Sequence, residues 1–143
     1  MAVEITGSYT GGLGVDLVHG PSGTRLHTAA PVDNQGDGSS FSPTDLMAAA
    51  LGSCMLTLIG IVADRDGIDV QGAQVRVVKH MVAAPRRIGT LEVRITLPAG
   101  IAPAARARLE QAASTCPVHH SLLPDIAIPV EFIYPDTPAS NPG

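Results

Sequence analysis

Tryptophan is absent from the 143-residue sequence, and two Tyr and two Phe are its only aromatic residues. Stacking platforms for bases or sugars are thereby nearly excluded, and a core must be built from Val, Ile, Leu, Ala and Met. Charge is also scarce. Asp, Glu, Lys and Arg make up 15% of the chain, and nine basic against thirteen acidic residues leave a net charge of -4. That balance lacks the basic footprint of proteins that bind nucleic acid or anionic membranes, so neither partner is expected. Two Cys are too few for a disulfide scaffold, and no Cys-x-x-Cys motif is present to suggest a thioredoxin-like oxidoreductase. Gly11, Gly12 and Gly14 do not have the Gly-x-Gly-x-x-Gly spacing, and there is no phosphate-loop Lys-Ser/Thr, so a nucleotide fold is not indicated. The first residues, Met-Ala-Val-Glu, show no basic segment leading into an apolar run, so a cytoplasmic chain with reduced thiols is expected.

What is present is apolar: 45% of the residues are hydrophobic, enough for a substantial core in one domain spanning 1–143. Leu46 to Ala63 carries no charge and reaches the lower length limit of a membrane span. Gly52, Ser53, Cys54, Thr57 and Gly60 interrupt it, and Asp45 and Asp64-Arg65-Asp66 flank it. It reads as a helix buried on nearly every side in a soluble core rather than in lipid.

The expected order is α+β. Val3 to Tyr9, Val15 to His19 and Arg25 to Ala29 form a small antiparallel meander, followed by a polar loop from Asp33 to Ser40. Ser42-Pro43-Thr44-Asp45 carries a helix start, with Ser42 as cap and Asp45 three residues beyond, and Gly67 stops the helix near Asp66. Val75 and Val77, then Leu91, Val93, Ile95 and Leu97, alternate with polar residues as two paired strands linked through Ala83 to Ile88. Pro103 opens a second helix with Ala105, Leu109, Ala112 and Cys116 on one face, and Pro117 begins a short turn through Leu122. A last strand from Ile126 to Tyr134 contains Pro129, which calls for an edge position or a bulge.

Chemistry concentrates on the two thiols. Cys54 lies midway along the apolar helix on a stripe with Met47, Leu51, Leu58 and Ile61, and Cys116 lies on the inward stripe of the second helix. If the helices pack together, the sulfurs meet; otherwise each thiol is a small space-filling hydrophobe. His119 and His120 give a ligand-like Cys116-x-x-His119 spacing, but no second pair completes a tetrahedral zinc site. Hydrogen-bonding or solvent-facing histidines are the default, and His120 as a proton relay stays open.

Residues 41 to 55, Phe-Ser-Pro-Thr-Asp-Leu-Met-Ala-Ala-Ala-Leu-Gly-Ser-Cys-Met, resemble the first active-site motif of the OsmC/Ohr family of osmotically inducible and organic-hydroperoxide-resistance proteins. Cys116-Pro117-Val118-His119-His120-Ser121-Leu122 resembles the second motif. The resemblance implies an OsmC-like fold, with antiparallel sheets, a long buried central helix and two intertwined chains in a homodimer. It also implies a thiol peroxidase with no added cofactor: Cys54 attacks an organic hydroperoxide and becomes a sulfenic acid. Cys116 then resolves this to a disulfide, and a dithiol, for which the resemblance suggests a lipoyl type, reduces it. The family fixes an activating Arg with a helix-start Glu; here Thr44 or Asp45 fills the Glu position, and Asp45 is the nearest acidic equivalent. The Arg is to be chosen among Arg25, Arg86 and Arg87, because Gly11-Gly12-Leu13 stands where hydroperoxide-resistance proteins carry Gly-Gly-Arg. A non-catalytic binding or carrier domain that keeps the fold is the competing reading.

Overall fold

The computed structural model describes residues 1–135, so the last eight positions of the expected 1–143 domain lie outside the described residues. The chain divides into two compact units, 1–47 and 48–143, with one helix running from the first into the second.

The first unit holds β1 (Ile5–Gly11), β2 (Gly14–His19) and β3 (Arg25–Ala29) in an antiparallel sheet of that order. Gly12 and Leu13 connect β1 to β2 with φ of 61° and 64°, the left-handed pair that a two-residue hairpin turn requires. A single turn of 3-10 helix, Val32–Asn34, overlaps the start of the expected polar loop.

The long helix α1 (Pro43–Asp66) begins and ends as its sequence predicts. Ser42 Oγ accepts the Asp45 N–H at 3.1 Å, and Asp45 Oδ2 accepts the Ser42 N–H at 2.9 Å, a reciprocal capping box. At the other end Gly67 turns to φ 69°, and Ile68 N–H reaches back to the Ala63 carbonyl at 2.8 Å. This is the glycine-terminated pattern that satisfies the last free carbonyls.

In the second unit β4 (Gln74–Val82) and β5 (Arg87–Thr96) form a long hairpin, and α2 (Pro103–Ser114), α3 (Pro117–Ser121) and β6 (Val130–Ile133) follow. The hairpin loop is confined to 83–86, so Arg87 and Ile88, expected in the connection, already belong to β5. Sheet order is β4-β5-β6, and β6 runs parallel to β5. This departs from the all-antiparallel expectation, because the two intervening helices carry the chain back to the end of the sheet where β5 began. Pro129 lies just before an edge strand, its carbonyl accepting Val93 N–H at 2.9 Å, and β6 is shortened accordingly.

Leu91, Val93, Ile95 and Leu97 bury the inner face of this sheet against Leu51, Met55, Ile59 and Ala63 of α1 and Leu109, Ala113 and Cys116 of α2 and its end. The outer face carries charge, with Arg94 paired to Glu131 at 3.2 Å and His80 hydrogen-bonded to Glu92. Only Ala48, Leu51, Gly52, Met55, Ile59 and Ala63 of α1 are buried within the chain. The stripe of Met47, Leu51, Cys54, Leu58 and Ile61 is not the buried row: Met47 and Ile61 are exposed, and Cys54 is half-buried. The expectation of near-complete burial fails for the single chain, since one sheet covers one side of a cylinder. By length and hydropathy α1 passes for a membrane span, and 33% of its most apolar window is buried within the chain.

Candidate functional site

Two features of the second unit bring the thiols together. The packed face of α1 lies on β4, where Gly52 lets the helix approach so closely that a Cβ there would stand 3.0 Å from Val77 and 3.2 Å from Val75. Two residues on, Cys54 comes to the edge of that contact, half-buried. From the other side α2 ends at Ser114, and Pro117, with no N–H to offer, starts α3 with Cys116 as its N-cap. Cys116 is fully buried and packs in the core with Leu109 and Ala113.

Its Sγ accepts the His119 N–H at 3.4 Å, the bond a serine oxygen ordinarily makes at a helix start. The Cys54 thiol lies close enough to the Cys116 thiol to act on its ionisation. Both sulfurs are free. Burial pushes the Cys116 pKa up, as does the neighbouring Cys54 thiol, while the His119 N–H pulls more weakly the other way. Cys116 is thus held as a protonated thiol beside a half-buried partner.

A groove of about 400 Å³ opens between α1 and α2, lined by Leu58, Ile61, Val62 and Ala112, with Arg65 and Arg108 at its rim. Leu58 is one helical turn beyond Cys54, and Thr115, also in the lining, is next to Cys116 in sequence. The groove, like the pairing of the Cys116 sulfur with a backbone N–H, has no counterpart in a local sequence motif, since its lining comes from two separate helices and the residue that follows the second.

The other residues singled out are placed as follows. Asp45 is held in the capping box of α1. Arg25 lies in β3, opposite Val18, beside a pocket it lines with Asp16, Leu26 and His27. Arg86 is in the β4–β5 turn, and Arg87 pairs with Asp125 at 3.7 Å. Among the described residues of the second unit, no Arg or Lys is bonded to Cys54. His119 and His120 stand with ring centroids 6.2 Å apart, and among the described residues no three His, Cys, Asp or Glu side chains gather as a metal site.

Comparison with known proteins places this geometry in context. The profile of the OsmC family, described as OsmC-like protein, matches residues 36–131. A structure from Psychrobacter arcticus, ascribed to the osmotic stress induced and detoxification response, is 41% identical, covers 92% of this chain and 95% of its own, and superposes with a TM-score of 0.85. The organic hydroperoxide resistance protein OsmC of Legionella pneumophila is similar in fold at 17% identity and TM-score 0.70, with 93% and 97% of the two chains covered. The organic hydroperoxide resistance protein OhrB of Bacillus subtilis is likewise similar at 15% identity and TM-score 0.68, over 92% and 98%. No curated protein matches the sequence.

Proposed function

The chain belongs to the OsmC-like protein family, and from that premise we propose that it is a cysteine peroxidase that reduces organic hydroperoxides with electrons from a dithiol. The observation that carries this reading is the proximity of two free thiols on separate elements, one half-buried and one buried, close enough that Cys54 raises the pKa of Cys116. A disulfide needs Cα atoms within about 7 Å, and two thiols near enough for one to raise the other's pKa are candidates for that closure.

In the proposed cycle the Cys54 thiolate attacks one peroxide oxygen. The O–O bond breaks, an alcohol leaves after taking up a proton, and Cys54 becomes a sulfenic acid. Cys116 condenses with it, releasing water and forming the Cys54–Cys116 disulfide. A dithiol, of lipoyl type by family likeness, then returns both cysteines to thiols and leaves as its own disulfide. The groove beside Leu58, Ile61 and Val62 suits an apolar substrate tail, whose burial hydrogen peroxide cannot match, so organic hydroperoxides are the preferred class.

The cation that favours the Cys54 thiolate is to be sought at Arg25, or at Arg86 and Arg87, with Asp45 as its acidic anchor. A second copy of the chain is one source of that Arg. The face of α1 left open in the single chain bears Ala50, Ser53, Thr57 and Ile61, all exposed and uncharged, and a homodimer of cytoplasmic chains covers it without lipid. One OsmC-like domain spanning 1–143 then forms half of the functional unit.

The competing reading, a carrier domain that keeps the fold, draws on the loss of the family's helix-start Glu, whose position Thr44 or Asp45 fills, and on the unassigned Arg. Purified protein with cumene hydroperoxide and a dithiol distinguishes the two. Catalytic consumption is expected in the wild type and none in Cys54→Ser, with kcat/KM for hydrogen peroxide below that for the organic peroxide. No consumption by the wild type would favour the carrier.

A further inference from the structure

The groove between α1 and α2 has two unlike ends. At one, Asp66 of α1 bonds Arg108 of α2 at 3.0 Å. At the other, Cys54 of α1 lies near Cys116, which follows α2. The groove therefore runs from a charged end to the thiol pair, with α1 and α2 antiparallel along it. Between the ends its α1 wall is apolar, formed by Leu58, Ile61 and Val62.

Arg65 lines the charged end. Asp66 and Arg108 neutralise one another, whereas Arg65 is exposed and has no ion-pair partner among the described residues. The preceding Asp64 points to a different side, because neighbouring residues of a helix do not face each other. A basic residue in the last turn complements the helix dipole in any protein. What sets Arg65 apart is that it stands on the thiol's own row. Cys54 and Arg65 are eleven positions apart, close to three whole turns, so both lie on one face of α1. Their separation along the axis is about 16 Å at the helical rise per residue.

We propose that Arg65 binds the carboxylate of the substrate, and that the preferred substrates are long-chain carboxylic acids bearing the hydroperoxide in mid-chain. This inference rests on the peroxidase reading. An extended chain of single bonds advances about 1.2 Å per bond, so the helical span sets the peroxide roughly a dozen bonds from the acid group. The guanidinium holds the carboxylate with charge-assisted hydrogen bonds, and the intervening chain lies along Leu58, Ile61 and Val62. The peroxide then meets Cys54.

The chemistry is that of the cycle above: the O–O bond breaks, the mid-chain alcohol leaves, and the carboxylate takes no part. Arg65 is thus a specificity residue that selects by charge and by length. A second copy seated on the open face of α1 meets the groove at Ile61, so the assembled protein is the form to test.

Initial rates with a dithiol, at substrate concentrations below micelle formation, test this. The peroxides are linoleic acid hydroperoxide oxidised at its thirteenth carbon, the methyl ester of that acid, and cumene hydroperoxide. In the wild type the free acid is expected to exceed its ester in kcat/KM by about tenfold. Arg65→Gln should raise KM for the acid by about the same factor with kcat unchanged, leaving the ester and cumene hydroperoxide at their wild-type values. Arg65→Lys, which keeps the charge, should recover most of the loss. An arachidonic acid hydroperoxide oxidised at its fifth carbon is too short in span and should show no advantage over its own ester. Equal kcat/KM for linoleic acid hydroperoxide and its ester in the wild type would overturn the proposal, a comparison that does not depend on any variant folding. So would an equal advantage for the fifth-carbon acid, or an Arg65→Gln that slows cumene hydroperoxide as much as the acid. Failure of the wild type to consume cumene hydroperoxide at all would instead sink the peroxidase reading, and the inference with it.

Discussion

Cys54 and Cys116 differ in access and in the company each keeps. Cys116 is buried and held protonated, whereas Cys54 stands half-open at the helix edge. Iodoacetamide at pH 7.5 is therefore expected to label Cys54 at least about tenfold faster than Cys116, as peptide mapping after short exposures will show. The same burial has a consequence for stability. The unfolded chain loses the Cys116 proton near the ordinary thiol value of 9.0, while the folded chain keeps it to higher pH. The stabilisation is thus present below pH 9 and is lost as pH rises through the raised folded value. Thermal unfolding from pH 8 to 11 should show a falling Tm that is flatter in Cys116→Ala. Both cysteines were legible in the sequence, because a thiol in a long apolar helix and a thiol before Pro117 are distinctive. The partners of other residues were not. Arg87 finds Asp125 through a sheet that no local pattern announces, and His119 reads as a solvent-facing default until its Nδ1 is seen enclosed.

At the scale of elements, α1 shows where periodicity informs and where it misleads. Its two ends were readable because caps are local: Ser42 with Asp45 at one, Gly67 at the other. Its facing was not, since a helix apolar on every side has no moment to orient it, and the buried row is set by contact with β4 and β5. The parallel entry of β6 was likewise hidden, because alternation within a strand says nothing of its direction. Gly52 is a position of close helix–sheet approach. Gly52→Ala gains about 1 kcal/mol of helix propensity. Against this, the new methyl presses on Val75 and Val77, and overpacking of that kind costs about 1–3 kcal/mol. A net loss of up to about 2 kcal/mol is expected in urea denaturation, with a larger loss for Gly52→Val. Gly60→Ala meets nothing within 4 Å in the chain and serves as the matched control.

For the whole molecule, the decisive quantity is exposed apolar surface. All seven residues of β1 are exposed, with Ile5 at 59% and Tyr9 at 66%, and Ile61 on α1 stands at 52%. Such surface on elements of both units calls for a cover, and the proposed second copy supplies one. Sedimentation equilibrium at low micromolar concentration should give twice the 14.7 kDa chain mass. A folded, active monomer would overturn the dimer and with it any Arg donated in trans. The strand order also bears on how quickly such a molecule assembles. β1, β2 and β3 pair in sequence order, β4 and β5 form a hairpin, and β6 alone joins its sheet from beyond two helices. Most strand pairing can therefore be completed between chain neighbours, where the entropy lost on closing a loop is small. The late event is the arrival of β6, which seals the edge of the second sheet only after the segment carrying Cys116 has been laid down.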